Sequence, residues 1–191
     1  MKKLFVVLCI SLLFLTACTK VPITSFADVN GNILGAEDAK VKVEIYSDYA
    51  CPYCKLAEDS VYELVKEYGN QIRFEFKDFV VHEFAFKASE AANCVSDQGK
   101  FWEYHNILFE NQDKLDIISL RTYAIDLGVN IEQFNQCLAK NDKKQDILSD
   151  IEDGKKLGVQ GTPTFVINSK LYPGVQKIDK LKAVITPLLN N

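Results

Sequence analysis

Basic charge is scarce in this chain. Its 22 Lys and Arg stand against 26 Asp and Glu, a formal net charge of −4. Without a cationic excess to displace counterions from phosphates, nucleic acid is excluded as a partner. Histidine is nearly absent: His82 and His105 are the two, and they form no ligand pair. The chain also lacks internal repeats and low-complexity segments. No apolar run reaches the roughly 20 residues that a membrane-spanning helix requires. What remains is an ordinary globular balance, 48% hydrophobic and 25% charged, in 191 residues. That length suits one domain, or one domain with a sizeable insertion.

The N-terminus stands apart. Met1-Lys2-Lys3 is followed by the nearly unbroken apolar run Leu4 to Leu15. A basic start, a short apolar stretch and small residues after it make an export signal. The competing reading is a buried N-terminal helix, which two lysines before a greasy run disfavour. The end of this segment, Leu15-Thr16-Ala17-Cys18, resembles the bacterial lipoprotein signal. That resemblance implies cleavage before Cys18 and lipidation of Cys18. Several acyl chains then hold the protein durably on a membrane surface, where one would be marginal. An ordinary cleaved signal with an incidental cysteine is the alternative. On this reading residues 1–17 are a signal peptide and 18–34 a tether, with Pro22 early in it and turn signals at Asn30-Gly31-Asn32 and Gly35.

Six cysteines are present. Cys9 lies in the signal and Cys18 carries lipid, which leaves Cys51, Cys54, Cys94 and Cys137. An even remainder in an exported chain suggests two disulfides.

Along the rest of the chain, alternation of Val41, Val43 and Ile45 predicts a strand over Val41 to Tyr46. A helix is expected from about Tyr53 to Tyr68, with Pro52 tolerated at its start and Gly69 as a stop. Ile72 to Phe79 alternates again. A helical block follows: about Phe86 to Val95, Gly99 to Asn111, Ser119 to Leu127, Ile131 to Ala139 and Lys143 to Leu157. Thr164 to Ile167 and Lys170 to Tyr172 read as a hairpin, and Ile178 to Leu189 as a last helix.

Cys51-Pro52-Tyr53-Cys54 falls between the first of these strands and its helix. There the first-turn N–H groups and the macrodipole favour negative charge on the Cys51 sulfur. Cys54, one turn on, can close a disulfide with it and is expected to be the more buried. Three readings compete: a redox dithiol, half of a zinc site, and a plain structural disulfide. Zinc would need two further ligands at matching spacing, which the isolated Cys94, Cys137, His82 and His105 do not offer.

A second motif bears on the choice. Val43 to Tyr53, the Cys51/Cys54 pair and Gly158-Val159-Gln160-Gly161-Thr162-Pro163-Thr164-Phe165 together resemble the thioredoxin superfamily. Ala91-Ala92-Asn93-Cys94 and Gly99-Lys100-Phe101-Trp102-Glu103-Tyr104-His105 resemble the helical insertion of its DsbA-like branch. The likeness runs from about Gly35 to Leu189. It implies an α/β, thioredoxin-like fold with a central mixed sheet over residues 35–191 and an inserted helical subdomain at about 83–150. It implies Cys51 and Cys54 as the catalytic pair, supported by Pro52, Tyr53, Thr162 and Pro163. It also implies a cis peptide before Pro163 beside the dithiol, with an ordinary trans turn as the alternative. No metal or cofactor is called for.

One departure stands out. Many members carry a buried acid six residues before the first cysteine, and here that position is Ile45. Glu44 should point to the other face of the strand, and Asp48 reads as a turn residue. The proton route to Cys54 is therefore open. Cys94 and Cys137, left over by elimination and each in a helix of the insertion, are expected to form a structural disulfide. Two buried free thiols are the alternative. His82 and His105 read as structural, and Phe101, Trp102, Tyr104 and Phe109 as core. Asp142-Lys143-Lys144 reads as solvated surface.

The functional expectation is an exported, monomeric thiol–disulfide oxidoreductase facing the periplasm or cell exterior. It would donate disulfides to exported cysteine-containing proteins and be regenerated by a membrane redox partner. A reductase or isomerase on the same site, and a non-enzymatic binding lipoprotein, are the alternatives. The segment from Cys18 to Leu34 is too short and polar for the added dimerisation domain common among isomerases of this superfamily.

Overall fold

The computed structural model describes residues 21–190. The expected signal peptide at 1–17, Cys9 within it, and the expected lipidation site Cys18 lie outside the described residues. Six strands form one sheet in the order β1-β2-β4-β3-β5-β6. They are β1 (Val29–Asn30), β2 (Ile33–Gly35), β3 (Val41–Ser47), β4 (Ile72–Asp78), β5 (Thr164–Ile167) and β6 (Lys170–Pro173). The central β3/β4 pair is parallel, and the other pairs are antiparallel, so the sheet is mixed. Between β3 and β4 runs α1 (Pro52–Tyr68), the crossover that a parallel pair requires. Between β4 and β5 lie α2 (Phe86–Ser96), α3 (Phe101–Glu110), α4 (Ile117–Asp126), α5 (Ile131–Lys140) and α6 (Lys144–Leu157), and α7 (Ile178–Asn190) closes the chain.

Alternation along the two central strands sorts the core. Val43 and Ile45 of β3, with Ile72, Phe74 and Phe76 of β4, join the large cluster that takes in α1, α7 and the insertion. On the other face Tyr46 packs with Phe79, Val159 and Val166, and Ile151 of α6 lies against them. Polar residues of that face, Lys77 and Glu75, form an ion-pair network with Asp150 of α6. Gly154 lets α6 close down here: a Cβ on it would lie 2.8 Å from the Tyr46 ring. The insertion boundary expected near residue 150 therefore falls inside a helix that runs to Leu157 and covers the sheet.

The tether was expected to reach residue 34, and the structure corrects this. Ile23 and Leu34 are buried in the main core, and Val29–Asn30 pairs with Ile33–Leu34 in a hairpin that continues the sheet along β4. Gly31 turns the hairpin at φ +59°. Gly35 sits where a Cβ would come 1.9 Å from the Ile72 carbonyl oxygen, so the chain passes β4 there only as glycine. Strands of two and three residues are too short to show alternation, and a Gly-Asn turn looks like linker. In the insertion, Cys94 of α2 is bonded to Cys137 of α5, with Cα atoms 6.0 Å apart. Among the described residues no helix is long and apolar enough to cross a membrane.

Candidate active site

The end of β3 and the start of α1 build the site. Cys51 is the N-cap of α1 in extended conformation, and Pro52 occupies the first helical position, where no donor is lost. Cys51 makes no side-chain cap bond, and as N-cap it stands at the positive end of the α1 macrodipole. Cys51 is 5% exposed and Cys54 is fully buried; both are free thiols. Burial pushes the Cys54 thiol up to about 12, a rise that the nearby Ser47 hydroxyl and Thr162 oppose. The two sulfurs thus have different environments, one at the mouth and one inside. Tyr53, between the two cysteines, is an exposed side chain, 63% open to solvent.

The second half of the site comes from the β5 approach. The Thr162–Pro163 peptide is cis, and the Cys51 thiol donates to the Thr162 carbonyl at 3.6 Å. Thr164 Oγ1 donates to the Gly161 carbonyl at 2.7 Å, and Gly174 N donates to the Pro163 carbonyl at 2.8 Å, so the loop is held from both sides. A shallow depression of about 290 Å³ lined by Gln160, Thr162, Pro163 and Leu171 lies along it.

Three residues fix the Cys51 loop: Asp48, read from sequence as a turn residue, His105, read as structural, and Gln112, which the sequence reading passed over. Asp48 is fully buried. Its Oδ1 accepts from Ala50 N at 2.7 Å, and its Oδ2 accepts from Val81 N and His82 N at 2.7 and 2.8 Å. It pins the loop to the segment after β4, in keeping with a turn role. Gln112, just beyond α3, donates to the carbonyls of Tyr49 and Cys51 at 2.8 and 2.9 Å. His105 of α3 bridges Tyr49 Oη at 3.1 Å and Glu58 Oε2 at 3.0 Å. Through these contacts the insertion carries the loop that presents Cys51. No spacing in the sequence announces Gln112, because its partners are backbone carbonyls 61 and 63 residues away.

His82 goes to Asp48 Oδ2 at 3.1 Å, and His105 is buried among Phe76, Phe101, Trp102 and Phe109. Phe101, Trp102, Tyr104 and Phe109 are buried core. Among the described residues no cluster of His, Cys, Asp and Glu could hold a metal ion. Glu44 lies on the opposite face of β3, where burial raises its carboxyl and Lys77 opposes the rise. The Cys94–Cys137 bond belongs to the insertion and not to this site.

A family model described as Thioredoxin matches residues 27–186. The chain belongs to that family. Among solved structures, a thioredoxin-like oxidoreductase from Silicibacter pomeroyi DSS-3 superposes with a TM-score of 0.76 at 27% identity, covering 86% of this chain and 95% of that one. BdbD from Bacillus subtilis, in its oxidised form, gives 0.74 at 25% identity over 85% and 94%. The thiol-disulfide exchange protein α-DsbA2 of Wolbachia pipientis, at 23% identity and a TM-score of 0.75, shares the fold. A Na(+)/H(+) antiporter of Salinispora arenicola is 35% identical over 158 residues, 81% of this chain. The chain spans about a quarter of that protein, 24% of its length. This thioredoxin-family chain has a DsbA-like fold with the mixed sheet and helical insertion expected from sequence.

Proposed function

We propose that the chain is an exported, lipid-anchored oxidant that hands a Cys51–Cys54 disulfide to cysteine-containing proteins outside the cytoplasm. The carrying observation is the asymmetry of the pair. Cys51 sits at the mouth, at a helix N-terminus and against Thr162, while Cys54 is buried behind it. In the oxidising direction a substrate thiolate attacks Cys51 Sγ, the Cys51–Cys54 bond breaks, and Cys54 leaves with the electron pair. A second substrate thiolate then attacks the substrate sulfur of the mixed disulfide. Cys51 leaves as thiolate, stabilised by the helix N-terminus, and the substrate gains the disulfide. A site that stabilises its reduced form holds its disulfide loosely. Tyr53 and the Thr162–Pro163 loop frame the mouth and would contact the substrate chain. A membrane redox partner restores the disulfide, and acylated Cys18 keeps the enzyme at that membrane.

The test uses the full chain with Cys54→Ser, recovered from the membrane fraction of a bacterial host and examined by mass spectrometry. Mixed disulfides through Cys51 and an N-terminus at acylated Cys18 are expected. Absence of Cys51 adducts would refute the exchange role, and an unacylated N-terminus beyond Cys18 would refute the anchor.

A further inference from the structure

Residues 21–28 form a strap along α1, and a chain of contacts fixes its direction. At the C-terminal end of the helix, Asp28 N donates to Asn70 Oδ1 at 2.7 Å, and Asn70 Nδ2 donates to Asp28 Oδ2 at 2.9 Å. The Phe26 carbonyl passes Gly69 so closely that a Cβ there would lie 2.6 Å from its oxygen. Further back along the helix, the Phe26 ring meets the Tyr62 ring edge-on, with centroids 5.7 Å apart. Tyr62 Oη in turn donates to the Val21 carbonyl at 2.9 Å. Helix side chains lean toward the N-terminus, so Val21 lies level with the turn before Tyr62. There Val21 and Ile23 line one side of a groove of about 580 Å³, with Lys55, Leu56 and Asp59 of α1 and Phe109 of α3 opposite. The strap is therefore antiparallel to α1. Followed back from Asp28 to Val21, it leads from the far end of the helix toward the end that carries Cys51 and Cys54.

A covalent limit then applies. Cys18 stands three positions before Val21, a reach of at most about 11 Å however the chain runs. From Cys51 to Tyr62 the helix rises by about 16 Å. A lipid on Cys18 is thus tied to the dithiol half of α1, and the start of β3 lies at the opposite end of the sheet. We propose that the acylated chain rests on the bilayer with the α1 groove toward the lipid surface and the Cys51 end nearest to it, so that the dithiol works at the membrane surface. The proposal rests on Cys18 being acylated, and not on the direction of electron flow.

The composition of this face says what holds it there. Val21 and Leu56 are 50% and 61% open to solvent and offer apolar contact to the headgroup region. Charge does not supply the attraction. Glu58, Asp59 and Glu110 outnumber Lys55 in the groove lining, and an acidic face gains nothing from anionic lipid. The short link to the anchor sets the orientation, which should be the same on zwitterionic and anionic bilayers. Such a link also brings Cys51 within reach of a membrane-embedded redox partner without the enzyme leaving the surface.

The test is energy transfer from the protein to the bilayer. The full chain, expressed with its own N-terminal segment in a Cys51→Ser/Cys54→Ser background, carries one donor dye. The dye is placed at Tyr53→Cys, in the first turn of α1, or at Ser169→Cys, an exposed site in the β5–β6 turn. Asn168 beside that site accepts from Lys42 N at the start of β3. The two dyes therefore mark opposite ends of the sheet, about 20 Å apart along β3. Each chain is reconstituted in phosphatidylcholine vesicles that contain acceptor-labelled phosphatidylethanolamine. Transfer from position 53 should exceed transfer from position 169, and the difference should persist when phosphatidylglycerol is added. A spacer of about 12 Gly and Ser residues between Lys20 and Val21, roughly 20 Å in r.m.s. span, should abolish the difference. Equal transfer from both positions without the spacer, greater transfer from position 169, or a difference that survives the spacer would overturn the proposal. A chain that does not float with the vesicles and carries no acyl mass on Cys18 would instead refute the anchor, and the proposal with it.

Discussion

Asp78 ties the stability of the fold to the titration of a single buried carboxyl. Folding raises its carboxyl from 3.8 to about 6, chiefly by burial. The folded state therefore binds its proton more tightly than the unfolded chain does. The contribution to stability is fully present below pH 3.8 and is lost as pH rises through about 6. The loss corresponds to roughly 3 kcal/mol. Denaturant unfolding at a series of pH values should show this decline, and Asp78→Asn should flatten it and be the more stable form at neutral pH. If the native chain and the variant keep parallel pH profiles through this window, Asp78 is not held as described. Elsewhere in the site, fully buried Asp48 has its Oδ2 occupied by two backbone amides and the His82 ring.

At the scale of elements, the insertion is attached to the active site by few but specific links. Gln112 holds the carbonyls of Tyr49 and Cys51, and His105 joins Tyr49 to Glu58 of α1. Within the insertion, the Cys94–Cys137 bond closes a sequence separation of 43 residues between α2 and α5. By loop-closure entropy such a link stabilises by about 4 kcal/mol. Replacing both cysteines by serine should lower the unfolding free energy by close to that amount and leave the Cys51–Cys54 exchange rate largely intact. Loss of exchange in a variant that remains folded would mean that this disulfide acts on the site directly. Element boundaries were readable where patterns were long. Val41 to Tyr46 and Ile72 to Phe79 alternate over enough residues to identify their strands, and Pro52 and Gly69 bracket α1. The β1–β2 hairpin escaped notice because its strands are shorter than the pattern that would reveal them.

For the whole molecule, the sequence carried the fold and the paired motifs but not the groups that serve them. Cys51-Pro52-Tyr53-Cys54 and Thr162-Pro163 are recognisable because each motif is local, and their meeting across 111 residues follows from the thioredoxin-like topology. Ser47 and Gln112 have no local signature. Each matters through a neighbour on another element, and such neighbours appear only once the fold is fixed. The central claim is that the folded site favours the dithiol over the disulfide, so that the enzyme oxidises its substrates. Its most direct test is the reduction potential of the Cys51–Cys54 couple, measured in the intact chain by equilibration with glutathione buffers and alkylation of the free thiols. The account predicts a value clearly more oxidising than the roughly −270 mV of thioredoxin, toward the roughly −120 mV of a strong oxidant such as DsbA. A potential at or below that of thioredoxin would contradict it and make the chain a reductase.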